Sequence, residues 1–266
     1  MNPPLSTLVP GTMPLLVSIP HGGDHLPESF GARMTPAARL VADTDWHLER
    51  LYAFAHDIGG SVLKANYSRY VIDLNRPSNG ESLYPGQTTT GLCPTETFRG
   101  EPVYAPGFAP PDAAETAQRV ADYWVPYHQA LQQEISRLLA LHGRVLLWEA
   151  HSIASVLPRL FEGELPGLNI GTFSGASCGP TLREAVAEAA AASPFTSVLD
   201  GRFKGGYITR QYGRPATGVH AVQLEMAQSL YMDEEAPFGW RDDRASQVKP
   251  TVESMVRAAF EALRRL

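Results

Sequence analysis

Short apolar runs alternate along the chain with longer stretches in which apolar residues recur at helical spacing. The apolar runs cover residues 15–19, 61–64, 70–74, 145–148, 168–172 and 221–226, and each is four to six residues long with few charges. Runs of this kind are typical of strands that are buried on both faces of a sheet. Helical periodicity covers residues 37–58, 112–141, 181–192 and 247–266. The alternation predicts an α/β fold.

Residues 77–111 interrupt this alternation. The segment contains seven prolines together with several glycines and threonines. Its composition predicts a long loop across the edge of the sheet, a place that often carries substrate contacts. A second loop is predicted over residues 201–218. Because the chain contains no repeat and no stretch typical of a linker, we expect a single domain over residues 1–266.

Composition and charge argue against several classes of protein. Hydrophobic residues make up 44% of the chain and charged residues 19%, which excludes a chain disordered by charge. The net charge of −6 argues against a general nucleic-acid binder but is compatible with a local cationic pocket for a small anionic substrate. No apolar run approaches the roughly 18 residues of a membrane span, and two cysteines are too few for a disulfide scaffold. We therefore expect a cytoplasmic protein with no nucleic-acid or membrane partner, and the sequence indicates no particular oligomeric state.

Two histidines and one acid follow predicted strands. His21 and Asp24 follow residues 15–19 in a His-Gly-Gly-Asp turn, and His151 follows residues 145–148. The carboxyl ends of parallel strands meet at one edge of an open sheet, where α/β proteins bind ligands. Two imidazoles and one carboxylate are typical protein ligands of catalytic zinc, which keeps its fourth position open. Another acid, Glu225, lies near the end of an otherwise apolar run.

Each of these residues also has a structural interpretation. His21 and Asp24 could cap a turn and a helix, and His151 could be a hydrogen-bonded core histidine. Glu225 could pair with an arginine of the 201–218 loop. Convergence of all of them on one edge of the sheet favours the metal site.

Five sequence blocks resemble the N-formylglutamate amidohydrolase family. They are Ile-Pro-His-Gly-Gly-Asp at 19–24, Asp-Thr-Asp-Trp-His at 43–47, Asn-Tyr-Ser-Arg-Tyr-Val-Ile-Asp-Leu-Asn-Arg-Pro at 66–77, Gly-Gly-Tyr-Ile-Thr-Arg at 205–210 and Leu-Glu-Met at 224–226. The long block at 66–77 is the most specific of the five. In addition, Leu-Tyr-Pro-Gly-Gln at 83–87 resembles members that act on formylglutamate itself. The resemblance extends from about residue 19 to residue 232.

The resemblance implies a fold and a set of site residues. The fold is a three-layer α/β/α mixed sheet like that of the zinc carboxypeptidase-like (phosphorylase/hydrolase-like) proteins. The family pattern implies metal ligands at His21, Asp24 and His151, catalytic residues at Glu225 and Arg69, and substrate-binding residues at Asn75 and Arg76. The expected metal is zinc, with cobalt or another first-row divalent ion as the alternative.

The implied activity is the metal-dependent hydrolysis of N-formyl-L-glutamate to formate and L-glutamate, a deformylation step of histidine degradation. Glu225 would move the proton of the attacking water, and Arg69 would polarise the formyl oxygen. The substrate is a small dianion, so Asn75 and Arg76 would bind one carboxylate and Arg210 the other.

Three further residues have two interpretations each. Arg210 could brace its own loop instead of binding substrate. Glu149 and Asp45 could orient the imidazoles. For Asp45, a solvated helix face or a helix cap is the simpler expectation.

A second enzyme class also matches the sequence. Gly-Ala-Ser-Cys-Gly at 175–179 fits the G-x-S-x-G pattern between a predicted strand and a predicted helix, and Asp200 and His220 follow in the order of a serine hydrolase. Only 42 residues separate Ser177 from His220, which leaves little room for the elements that carry the acid and the histidine in that fold. The alternatives are therefore this serine hydrolase and a metalloenzyme of the same fold that acts on another N-acyl amino acid. A metal-storage or sensor protein would leave Glu225 without a role.

Overall fold

A mixed β-sheet runs through the centre of the protein. The computed structural model describes residues 2–83, 86 and 88–266, and within them the sheet has seven strands in the order β1-β3-β2-β4-β7-β5-β6. The strands are β1 (Ser6–Val9), β2 (Leu15–Ile19), β3 (Ser61–Ala65), β4 (Val145–Ile153), β5 (Leu168–Gly171), β6 (Ser197–Leu199) and β7 (Val219–Ala227). Strands β3, β2, β4 and β7 are parallel to one another. Strand β1 is antiparallel to β3, and β5, which pairs with β6, is antiparallel to β7.

The central strands are buried over their whole length. Strand β2 is buried at all five positions, and β4 and β7 are buried at all nine. Their side chains alternate between the two faces of the sheet, so that Leu15 and Val17 join one hydrophobic cluster and Leu16 joins another. Because both faces are covered, these strands are continuous apolar runs in the sequence.

Helices lie on both faces of the sheet. They are α1 (Glu28–Gly31), α2 (Leu48–Leu51), α3 (Phe54–Asp57), α4 (Ala113–Arg119), α5 (Val125–His142), α6 (Pro180–Ala191), α7 (Tyr207–Tyr212) and α8 (Asp242–Arg264). Helices α6 and α8 pack on the face that holds Leu15, whereas α5 packs on the face that holds Leu16. This arrangement confirms the expected three-layer α/β/α fold with a mixed sheet. None of the helices in the described part of the chain is both long and apolar enough to cross a membrane.

Two segments differ from the sequence prediction. Residues 70–74 are not a strand: they are buried but form turns, with Val71 N donating to Ser68 O rather than to a neighbouring strand. Residues 37–58 are not one helix, because Val41 and His47 adopt left-handed backbone conformations with φ of 45° and 61°. The prediction also missed β1 and β6, which lie at the sheet edges, are half-buried or exposed, and therefore lack a buried strand's continuous apolar run.

The long segment between β3 and α4 contacts the carboxyl ends of β2 and β4 through Asp73, which bonds to His21, and Asn75, which lies beside His151. Its described residues form turns and isolated bridges. Tyr84, Pro85 and Gln87, which belong to the Leu-Tyr-Pro-Gly-Gln motif at 83–87, lie outside the described residues.

Leu131 and Leu141 of α5 provide a matched test of the packing on one face. Leu131 is fully buried, whereas Leu141 is 61% exposed. Leu131→Ala should lower the free energy of unfolding by about 2 to 5 kcal/mol, because the truncation leaves a cavity. Leu141→Ala should lower it by less than about 0.5 kcal/mol. Urea denaturation followed by circular dichroism measures both values, and equal losses would contradict the position of α5.

Candidate active site

Three of the residues singled out in the sequence meet at the carboxyl edge of the sheet. His21 follows β2, His151 lies in β4, and Glu225 stands opposite His151 in the parallel register of β7. All three line one cavity that is partly open to solvent. They are 3%, 2% and 8% exposed, respectively, so the charged or polar atoms of this site are largely shielded from water.

The acid beside the two imidazoles is Asp45 rather than Asp24. His21, Asp45 and His151 each offer one ligand atom, and these atoms lie within 4.8 Å of one another. Asp45 is buried, whereas Asp24 is exposed and does not belong to this group. The structure therefore does not assemble the predicted set of His21, Asp24 and His151. It also corrects the expectation that Asp45 lies on a solvated helix face.

Backbone contacts explain this difference. Beyond the glycines that follow His21, the chain turns to pair His25 with residues 66–68, and Asp24 is left on the outside of that turn. Asp45, which is distant in sequence, returns to the site because its N–H donates to the carbonyl oxygen of His21 at 3.0 Å. Sequence spacing alone does not show which of the two acids a loop will direct inward.

The three side chains fit a divalent metal ion. Asp45 Oδ2 lies 3.0 Å from His151 Nδ1 and 3.8 Å from His21 Nδ1. Ligand atoms bound to tetrahedral zinc at about 2.0–2.1 Å are about 3.3 Å apart, a value between these two distances. The other oxygen of Asp45, Oδ1, is buried with no hydrogen-bond partner. The group therefore has the donor atoms, the spacing and an unsatisfied polar atom that a cation would complete.

A second carboxylate contacts the far nitrogen of each imidazole. Asp73 Oδ1 lies 2.7 Å from His21 Nε2, and Glu149 Oε2 lies 3.2 Å from His151 Nε2. When Nε2 carries the ring proton and donates a hydrogen bond to these acids, Nδ1 is unprotonated and can bind a metal. Both rings are therefore oriented with Nδ1 toward Asp45.

The two imidazoles lie in opposite electrostatic environments. Burial, followed by the charge of Arg69, lowers the pKa of His21 to about 4, so this ring is neutral. Burial also disfavours a charge on His151, but hydrogen bonds to Asp45 and Glu149 outweigh it and raise the pKa of His151. The acids thus favour a positive charge beside Asp45. A bound divalent cation would satisfy the same electrostatic demand.

Glu225 is a buried carboxyl next to this group. Its hydrogen bond from Gln223 Nε2 is weak, at 3.4 Å, and no ion pair joins it to an arginine in the described part of the chain. Burial raises the pKa of Glu225 above its usual range, and the charge of His151 opposes this rise. A carboxyl with a pKa near neutrality can both accept and return a proton. Glu225 therefore has the properties of a general acid and base.

Arg69 reaches the cavity from the segment that follows β3. Its Nη2 donates to Asp73 Oδ2 at 2.6 Å, and its Cζ lies 4.6 Å from the centre of the Phe98 ring. Its Nη1 lies 3.9 Å from Asp45 Oδ1, and its Nε is buried without a hydrogen-bond partner. The acid and the ring hold a fixed positive charge close to the two imidazoles.

Asn75 connects the histidine group with the loop that precedes α7. Its Oδ1 accepts a hydrogen bond from Ile208 N at 2.8 Å, and its Nδ2 lies 3.1 Å from His151 Nε2. When His151 Nε2 donates to Glu149 it cannot also accept from this amide, so the two contacts are alternatives. Gly206 packs against the same amide, where a Cβ atom would come within 2.3 Å of Asn75 Nδ2. Asn75 lines the cavity, but its described contacts position neighbouring parts of the protein.

Of the two arginines predicted to bind substrate carboxylates, the structure brings one to the cavity. Arg76 lines it and donates from Nε to Thr90 O at 3.0 Å. Arg210 is not on the cavity wall, and it donates to Gly205 O at 2.8 Å and Leu83 O at 3.0 Å. The contact with Gly205 braces the loop of Arg210 itself, and the contact with Leu83 joins that loop to the long segment before α4.

The three residues of the serine-hydrolase alternative do not form a catalytic triad. Ser177 Oγ donates to a backbone carbonyl at 2.8 Å, and His220 Nδ1 accepts from a backbone N–H at 3.0 Å. Asp200 forms an ion pair with Arg183 at 3.0 Å. Within the described residues no hydrogen bond joins Ser177 to His220 or His220 to Asp200, so a base is not placed to activate the hydroxyl.

Two residues near the cavity had no role in the sequence analysis. Asp73 interrupts the apolar run Tyr-Val-Ile-Asp-Leu, and a lone acid in such a run is the same signal that singled out Glu225. Arg202 lines the cavity from the loop that follows β6, and the sequence contains no comparable signal for it.

Comparisons with known proteins agree on one family. The family model for N-formylglutamate amidohydrolase matches residues 13–232. A curated N-formylglutamate deformylase from Pseudomonas aeruginosa is 49% identical over 93% of both chains, and one from Pseudomonas putida is 48% identical over 93% of this chain and 92% of its own. The crystal structure of an N-formylglutamate amidohydrolase from Ralstonia eutropha JMP134 matches with a TM-score of 0.80 at 27% identity, covering 98% of both chains. The chain belongs to the N-formylglutamate amidohydrolase family.

Proposed function

We propose that this protein hydrolyses N-formyl-L-glutamate to formate and L-glutamate. Two curated relatives, at 49% and 48% identity, carry the name N-formylglutamate deformylase. The observation that carries the proposal is the position of Glu225 beside the group of His21, Asp45 and His151 in a cavity lined with arginines. Hydrolysis of an anionic formamide requires water activation, proton transfer and a cationic binding surface, and this cavity contains candidates for all three.

The proposed cofactor is a divalent metal ion, with zinc favoured and cobalt or another first-row ion compatible with the same donors. His21, Asp45 and His151 would be its ligands. When bound, such an ion lowers the pKa of water and stabilises negative charge on a carbonyl oxygen. Asp73 and Glu149 would keep the two imidazoles in the orientation that ligation requires.

Glu225 would carry the proton of the reaction. Its carboxylate accepts a proton from the attacking water as the C–O bond forms at the formyl carbon. The same proton then passes to the glutamate nitrogen as the C–N bond breaks, so formate and the amine are released. Because burial raises the pKa of Glu225, its carboxyl can retain the proton between these two events.

Arg69 and Arg76 would interact with the negative charges of the reacting substrate. Arg69 holds its charge beside the imidazoles, where the formyl oxygen becomes negative during attack. Arg76 lines the cavity, and a planar guanidinium can match a carboxylate with two parallel hydrogen bonds. We assign Arg76 to the α-carboxylate, with Asn75 as its neighbour on the cavity wall.

The proposed setting is the deformylation step of histidine degradation in the cytoplasm. The free thiols of Cys93 and Cys178 suit a reducing compartment. The proposed partner is a small dianionic molecule rather than a nucleic acid or a membrane.

The metal content of alanine variants of Asp45 and Asp24 tests which of these two acids is a ligand. The purified protein should contain about one divalent ion per chain. His21→Ala, His151→Ala and Asp45→Ala should each remove most of it, because each variant lacks one ligand. Asp24→Ala should retain the metal, since its carboxylate is exposed. Elemental analysis, with circular dichroism to verify folding, measures the outcome; loss of metal from Asp24→Ala but not from Asp45→Ala would refute the assignment.

Glu225→Gln separates catalysis from metal binding. The amide has nearly the same size but cannot accept the proton, so formate release should fall by at least about a hundredfold while the metal content is unchanged. Ser177→Ala serves as the control and should keep normal turnover. Formate release from N-formyl-L-glutamate is measured with a coupled dehydrogenase assay. Normal turnover by Glu225→Gln would mean that this carboxyl has a structural role.

The dianionic substrate is tested with N-formyl-L-glutamine, which preserves the size but removes one charge. An unpaired charged group in the pocket should lower kcat/KM by at least about tenfold relative to N-formyl-L-glutamate. Steady-state kinetics on both substrates measure this ratio. Equal kcat/KM values would contradict a pocket with two cationic positions and would favour an enzyme for other N-acyl amino acids.

A further inference from the structure

We propose that Arg202 binds the side-chain carboxylate of N-formyl-L-glutamate and thereby determines the preference for a dianionic substrate. This inference rests on the proposed function. It assigns to Arg202 the position that the sequence analysis gave to Arg210, because Arg202 is on the cavity wall and Arg210 is not.

The charges on the cavity wall favour a dianion. Among the described residues that line the cavity, three are arginines, namely Arg69, Arg76 and Arg202, and one is an acid, Glu225. Arg69 forms a buried ion pair with Asp73 and is assigned to the formyl oxygen. Arg76 and Arg202 are the other two arginines on the described cavity wall, and the proposed substrate carries two carboxylates.

Arg76 belongs to the reacting end of the cavity. It follows Asn75, whose amide lies 3.1 Å from His151 Nε2. Arg76 and Glu225 also line the same cavity. The α-carboxylate of the substrate is only one carbon from the formamide nitrogen, so it must lie at this end. The γ-carboxylate lies two methylene groups further away and requires another cation.

Arg202 provides a cation with suitable surroundings. Its Nε donates to Leu160 O at 3.2 Å, its Nη2 donates to Thr88 O at 3.3 Å, and its Cζ lies 5.4 Å from the centre of the Phe203 ring. Leu160 and Phe203 also line the cavity, where they can contact the methylene groups of a glutamate side chain. An oriented guanidinium beside an apolar wall fits a carboxylate at the end of a short aliphatic chain.

One short segment links the two arginines and limits their separation. Arg76 Nε donates to Thr90 O, and Arg202 Nη2 donates to Thr88 O. Residues two apart in an extended chain are at most about 7 Å from each other. The two carbonyl groups that hold the guanidinium groups are therefore close together. An extended glutamate can reach one guanidinium with each of its two carboxylates.

The test compares N-formyl-L-glutamate with N-formyl-L-glutamine on the metal-loaded wild type and on three variants. Arg202→Gln removes the proposed ligand, and Arg210→Gln tests the rival position. Arg39→Gln is the matched control, because Arg39 is exposed and also donates to a backbone carbonyl. Steady-state kinetics give kcat and KM for each substrate, and circular dichroism and metal content verify that each variant is folded and loaded.

Arg202→Gln should lower kcat/KM for N-formyl-L-glutamate by at least about tenfold, mainly through KM, because the lost contact lies away from the reacting atoms. The value for N-formyl-L-glutamine should be nearly unchanged, so the preference disappears. Arg210→Gln and Arg39→Gln should keep the wild-type preference. Should Arg202→Gln fail to fold, Arg202→Lys decides, since it keeps the charge but loses the planar fork and should retain only part of the preference.

Three results would overturn the assignment of Arg202. They are an unchanged preference in Arg202→Gln (or in Arg202→Lys when that variant decides), equal losses on both substrates, and loss of the preference in Arg210→Gln alone. A wild-type enzyme that releases no formate from either substrate would contradict the proposed function itself. The two failures are therefore distinguishable.

Discussion

Burial of several carboxylates is the constraint on which the rest of this structure depends. Asp45, Asp73 and Glu149 are at most 1% exposed, and a buried charge is strongly destabilising unless it is paired. The two imidazoles supply hydrogen bonds and Arg69 supplies a positive charge, so movement of any of these side chains would leave a buried carboxylate without one of its partners. The turns of residues 66–77 serve this requirement, since they direct Asp73 to His21 and Arg69 to Asp73 and Asp45.

The parts of the fold that depend on a local apolar pattern were predictable from the sequence. The prediction placed β2 at its observed bounds, and it placed β4 and β7 with shorter lengths, because strands buried in a parallel sheet are continuous apolar runs. The segment 70–74 shows where this inference fails. Tyr70, Val71 and Ile72 are as buried as strand residues, but their segment forms turns, and burial alone does not specify a strand ladder.

The same distinction applies to the site residues: those placed by strands were predictable, and those placed by loops were not. The sequence predicted that His21, His151 and Glu225 lie close together, because each belongs to a strand or follows one. The sheet determines where its strands end. Asp45 could not be predicted, because its place depends on one backbone hydrogen bond to His21 between distant segments. Arg202 is similar, since it lies on a loop whose path is set by tertiary contacts that have no local pattern.

The parallel pairing of β4 and β7 places His151 and Glu225 side by side on adjacent strands. Neighbouring strands are held about 4.8 Å apart by main-chain hydrogen bonds, whatever their side chains are. The guanidinium groups of Arg76 and Arg202, in contrast, are carried by connecting segments outside the sheet. Insertions or substitutions in those segments can reshape the cavity while the spacing between histidine and acid is preserved. The fold thus has a modular character, in which the chemistry of bond cleavage and the choice of molecule to be cleaved can diverge independently.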